Sequence, residues 1–263
     1  MKKLLYVLLM TLLCFSCNSK SEKTEKKSEN FFVASKDTLL NKDRISSDSL
    51  QTVSYETKTF SSDFTDFVPD GYRIFRNEYV NVESGDLNKD GLEDVVFLIK
   101  KIDSSNIVTD QQRGKLDMNR RGIIVLLKKA DGYEKVVQNL DCFSSENEDG
   151  GIYYASELYF EIVKGKLKVS YAHGRYGYWS YTFRYQQNDL ALIGFDSYQS
   201  NNAVPQYINS INFLTKKKLK RDNLNKYDPG DDYTENYEDT WEKIEVPRLI
   251  LLSEIEDFVQ LRF

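Results

Sequence analysis

From about Phe60 onward, apolar residues recur at every second position, and that repeat commits the chain to strands rather than helices. A two-residue period sends successive side chains to opposite faces of a pleated ribbon, whereas a helix needs a 3.6-residue repeat. Leu158, Phe160 and Ile162 hold the even positions of one segment, and after a Lys164-Gly165 turn Leu167, Val169 and Tyr171 alternate with Lys166, Lys168 and Ser170. This predicts a hairpin with one buried face. Trp179, Tyr181, Phe183 and Tyr185 share one face of the next strand, over 178–185, and Gln187-Asn188-Asp189 turns it into another over 190–195. Two earlier runs, 95–99 and 123–127, are apolar without alternation and read as central strands covered on both faces. Ala130-Asp131-Gly132 turns the second of these back into a strand over 133–137.

Helical signals are confined to a short turn over 63–68, ended by Pro69, and another over 253–258 capped by Ser253. The expectation is mainly β: a single antiparallel domain over 60–263. No block recurs along the chain, which argues against a multi-bladed propeller.

The amino terminus reads MKKLLYVLLMTLLCFSC. Lys2 and Lys3 precede an apolar run over 4–15 that is too short to span a bilayer, so residues 1–16 read as a signal peptide. Ser16 before Cys17 resembles a bacterial lipoprotein signal. The resemblance implies cleavage before Cys17, acylation of its thiol and new amino terminus, and a membrane as partner. Bulky Leu13 makes Cys14 a poorer acceptor; the alternative is an ordinary secretory signal with a free cysteine beyond it. Residues 17–59 then carry the lipidated cysteine and a Ser-, Lys- and Glu-rich stretch that reads as a disordered tether, interrupted by Phe31-Phe32-Val33 as a docking candidate. With Cys17 acylated, Cys142 is the only thiol left and no internal disulfide forms; it reads as a small buried residue. The formal charge of −5 argues against nucleic acid as a partner.

The sharpest motif spans 85–96. Asp86, Asn88, Asp90 and Asp94 stand at loop positions 1, 3, 5 and 9, Gly91 permits a tight turn at position 6, and Leu92 offers its backbone carbonyl at position 7. Alternate residues of such a loop converge their oxygens on one centre, which suits Ca²⁺, a hard cation taking six to eight oxygens. An EF-hand would carry Glu at position 12, where this chain has Phe97 at the start of an apolar strand. The segment resembles the calcium loop of FG-GAP or VCBS-type units. That resemblance implies a structural ion at the junction of two strands and no enzymatic activity. More loosely, the chain resembles small bacterial lipoproteins with one such loop early and an aromatic hairpin later. The competing reading is a metal-free turn, since Asp, Asn and Gly are ordinary turn residues.

Weaker features each have a plainer reading. Arg175, Tyr176 and Trp179 lie in a Gly-interrupted aromatic segment and are candidates for contact with a sugar or peptide. The alternation of Trp179 with Tyr181, Phe183 and Tyr185 favours a core role instead. His173 is the only histidine, which leaves triad and zinc chemistry short of groups. Glu146, Glu148 and Asp149 form one acidic group; Asp228, Asp231, Asp232, Glu235, Glu238, Asp239 and Glu242 form another. Both read as solvated loops. The basic run 216–221 could touch lipid headgroups, but reads more simply as an exposed strand end.

The function expected from these features is a lipid-anchored, non-enzymatic binding or structural module of the bacterial cell envelope, with one Ca²⁺ and an unknown envelope protein or glycan as partner. The anchor and tether are compatible with the outer membrane. Alternatives are an envelope carbohydrate-active hydrolase using the loop carboxylates, and an inhibitor or immunity-type binding protein.

Overall fold

A computed structural model describes residues 64–77, 80–148, 156–227 and 233–263, and two antiparallel sheets organise them. The chain divides between Glu56 and Thr57 into two units, and every described residue belongs to the second. Cys17, the tether and Phe31-Phe32-Val33 lie outside the described residues.

The first sheet holds β1 (Tyr72–Phe75), β2 (Glu83–Gly85), β3 (Asp94–Lys101), β6 (Arg121–Lys129) and β7 (Gly132–Phe143). β1 pairs with the far end of β3 and β2 with its beginning, so the two short strands form one interrupted edge. A separate hairpin, β4 (Ile107–Asp110) with β5 (Gly114–Asp117), lies between β3 and β6 in sequence. The second sheet is a seven-stranded meander in sequence order: β8 (Glu157–Val163), β9 (Lys166–Ala172), β10 (Gly177–Gln186), β11 (Asp189–Asn201), β12 (Val204–Asn212), β13 (Lys217–Asn223) and β14 (Tyr237–Lys243). Two-residue turns join β8 to β9, β10 to β11 and β11 to β12. Their central residues, Lys164-Gly165, Gln187-Asn188 and Asn202-Ala203, all have positive φ. Left-handed pairs of this kind match the twist of the strands they connect.

The fold is mainly β, as the sequence predicts. The unbroken runs of β3 and β6 are buried on both faces. Val96, Leu98, Ile123, Val125 and Leu127 enter the core between the sheets. Val95, Phe97, Ile99, Ile124 and Leu126 face the other way, under Phe64, Phe67 and Val68. From the second sheet, Leu167, Val169, Tyr181 and Phe183 fill the shared core, and Leu252, Ile255 and Phe258 close it from the carboxyl-terminal segment. The strand face expected from Trp179 to Tyr185 therefore packs inward, with Trp179 and Tyr185 half-buried at its ends. Cys142 is fully buried, and burial pushes its thiol pKa up.

Three expectations need correction. Glu238, Asp239 and Glu242 lie in β14, not in the solvated loop that their composition suggests. The basic run is not a strand end at an edge, because β13 pairs with both β12 and β14. Both errors arise from strands held by backbone ladders with little burial, which leave no apolar pattern to read. Ser253 is not a cap: it donates to Asp189 Oδ2 at 2.5 Å, tying the carboxyl-terminal segment to β11. Short 3-10 turns occupy Leu252–Glu254 and Phe258–Gln260, and the second is capped by Asp257, which accepts from Val259 N at 2.8 Å.

Candidate metal centre

The loop of residues 86–93 joins β2 to β3, antiparallel neighbours whose register brings Gly85 opposite Asp94. It is built on carboxylates that organise its own backbone. Asp86 Oδ1 accepts from Lys89 N at 2.6 Å and Asp90 N at 3.1 Å, and its Oδ2 accepts from Gly91 N at 2.9 Å. Gly91 has φ +86°, a conformation a side chain would strain. Asn88 Oδ1 accepts from Asp90 N at 3.0 Å while its Nδ2 donates to Asp90 Oδ2 at 2.9 Å. Asp90 Oδ1 accepts from Leu92 N at 2.9 Å. That amide, followed by the Asn88 side chain, holds the exposed Asp90 carboxyl below its ordinary value.

Asp94 stands apart from these three. It is fully buried beneath the loop, with Oδ2 accepting from Leu87 N at 2.8 Å and Asn88 N at 3.4 Å. Its Oδ1 accepts from Lys128 N on β6 at 2.9 Å. Burial raises its pKa, opposed by these amides, which favour the charged form. Asp94 thus clips the loop to the sheet. Among the described residues, no three His, Cys, Asp or Glu side chains gather into a cluster that could hold a metal.

Two further contacts fix the loop. Leu87, at position 2, is buried in the core between the sheets. On the outside, Gly165 of the β8–β9 turn lies so close that a Cβ there would meet the Asp86 carbonyl at 3.1 Å. The motif alone reveals neither the Leu87 plug nor the Lys128 amide. The first is one apolar residue among polar ones, and the second is 34 residues away in sequence.

The other candidates separate. Arg175 and Tyr176 sit in a 3-10 turn, Gly174–Tyr176, with the guanidinium 5.5 Å from the centre of the Tyr176 ring. The turn is pinned by Ser200 Oγ, which donates to the Arg175 carbonyl at 2.5 Å. Trp179 is committed instead to Tyr171, stacked at 5.5 Å and 15°. Glu146 accepts from the fully buried Lys100 ammonium at 2.5 Å, and Asp117 lies 3.1 Å from the same nitrogen. Glu148 Oε1 accepts from Ser145 N at 3.4 Å, while Asp149, Asp228, Asp231 and Asp232 lie outside the described residues. Asp239 is paired with Arg221 at 2.8 Å on the second sheet, whereas Glu146 and Glu148 lie in the turn that follows β7.

Comparison with protein-family models, with curated proteins and with solved structures finds no match.

Proposed function

We propose that the protein is a non-enzymatic, lipid-anchored module of the bacterial cell envelope whose β domain is stabilised by one Ca²⁺ in the 86–94 loop. The observation that carries the reading is the set of hard oxygens that Asp86, Asn88 and Asp90 present on a rigid corner between β2 and β3. Each sp² oxygen has two lone pairs. Asp86 Oδ2, Asn88 Oδ1 and both Asp90 oxygens each accept one hydrogen bond, leaving a lone pair on each. The Leu92 carbonyl adds a neutral oxygen, and water completes a shell of six to eight. Two carboxylates, from Asp86 and Asp90, balance the ion's charge. Asp94 contributes by bracing the loop, with one Oδ1 lone pair left over. The ion adds cohesion among Asp86, Asn88 and Asp90, whose side chains are otherwise joined by turn hydrogen bonds above the Leu87 and Asp94 attachments.

The Ser16-Cys17 signal and the polar stretch that follows it in sequence support the anchor and tether of this reading. Calorimetric titration of the full chain with Ca²⁺ tests the metal reading. One ion per chain is expected, with binding abolished in Asp90→Ala. Absence of binding in the parent protein would remove the calcium from the account.

A further inference from the structure

We propose that the outer face of β12–β14 binds an anionic saccharide, one sugar ring lying on Trp241 and its acid group held between Lys217 and Lys243. The proposal rests on the binding-module reading above and names its ligand class and surface. Trp241 is 65% exposed in the middle of β14, on the face turned away from the core between the sheets. The ladder fixes what surrounds it. Leu219 lies directly opposite Trp241, Ser210 opposite Leu219, and Asn212 opposite Lys217. With Thr215 these residues line a cleft of about 530 Å³.

An exposed indole on a β-ladder offers an apolar face to the C–H side of a sugar ring, and its two side-chain torsions cost little entropy to fix. Around it stand hydroxyl and amide groups from Ser210, Thr215 and Asn212, suited to ring hydroxyls. This mix of one large aromatic and a few convergent polar groups is the composition of a small-ligand site.

The charge decides the class of sugar. Lys217 and Lys243 are registered directly opposite each other, two residues along from the Leu219–Trp241 pair and on the same face. Like charges directly opposite across strands destabilise a sheet. Their neighbours on the other face have carboxylates to hand: Lys218 opposes Glu242, and Lys220 is paired with Asp222 at 2.7 Å. Arg221, on the same outer face, is paired with Asp239 at 2.8 Å. The Lys217–Lys243 pair has no carboxylate within ion-pair distance among the described residues. An acid group entering from solvent would satisfy both ammonium groups. Across the ladder from Leu219, Ser210 Oγ donates to Asp196 Oδ1 on β11 at 2.6 Å.

The test is calorimetry on the full chain with tetragalacturonic acid and its fully methyl-esterified form, in calcium-free buffer, alongside phosphatidylglycerol vesicles. The acid should bind at least about tenfold more tightly than the ester, a gap that closes with added salt. Trp241→Ala should weaken binding of the acid about tenfold or more, Trp241→Phe should recover part of it, and Lys217→Ala with Lys243→Ala should remove the preference for acid over ester. All are surface changes, and an unchanged far-ultraviolet circular dichroism spectrum verifies folding. Equal binding of acid and ester, no binding of either, binding to the vesicles but not the saccharide, or indifference to Trp241→Ala would each overturn the proposal. A calcium-binding protein that ignores the saccharide would sink this inference alone. A saccharide-binding protein that ignores calcium would sink only the metal reading.

Discussion

β3 and β14 are both eight residues or fewer, both antiparallel, and held for opposite reasons. Seven of the eight residues of β3 are buried, and the strand lies between two hydrophobic clusters. None of the seven residues of β14 is buried; the strand rests on its ladder with β13 and on cross-strand pairs such as Arg221 with Asp239. A strand of the first kind spends its side chains on stability. A strand of the second kind leaves them free, which is why an exposed tryptophan on β14 reads as a contact group and a buried phenylalanine on β3 does not.

The comparison is sharpest where it predicts unequal losses. Phe97→Ala, at the centre of β3, should lower unfolding free energy by about 3–5 kcal/mol in urea denaturation, the usual cost of emptying a phenylalanine site. A loss below about 1 kcal/mol would mean the second cluster is not a packed core. Asp94→Ala should cost about 1–3 kcal/mol even without calcium, because it strands the buried amide of Leu87 and the half-buried amide of Lys128. If stability changes only when calcium is present, Asp94 is a ligand rather than a clip. Trp241→Ala should move stability by less than about 0.5 kcal/mol, as befits an exposed position away from any packed feature. A larger loss would tie the indole to the fold.

The smallest effect is one of sign. Burial raises the Asp94 pKa, so the share of stability linked to its protonation is present at low pH and fades as pH rises through that raised value. Its hydrogen bonds from the amides persist in the ionised form. Hydrogen bonds from Leu92 and Asn88 lower the Asp90 pKa, so its contribution is present at higher pH and is lost as pH falls through that lowered value. A carboxyl-carbon NMR titration should find the two on opposite sides of the ordinary aspartate value. Finding both below it would contradict the burial of Asp94.

Legibility in the sequence follows the same division. β3, β6 and the inward face of β10 announce themselves because burial imposes a pattern on residue type. β14, reading Tyr-Glu-Asp-Thr-Trp-Glu-Lys, imposes none, and its acids look like a solvated loop. The interrupted edge formed by β1 and β2 escapes notice because strands of four and three residues are too short to show a period. In the loop, Asp86, Asn88 and Asp90 are legible because the spacing with which they organise the turn is local. The role of Asp94 is not, since it depends on an amide of β6 that only the folded sheet brings near.

The central claim is that the corner between β2 and β3 is an ion site. The most direct test follows the thermal unfolding of the full chain with and without about 1 mM calcium. For an affinity of about 10⁻⁴ M the ion should add about 1.4 kcal/mol. That corresponds to a rise in melting temperature of about 3–6 °C, absent in Asp86→Ala. A melting temperature indifferent to calcium in the parent protein, or an equal rise in Asp86→Ala, would contradict it.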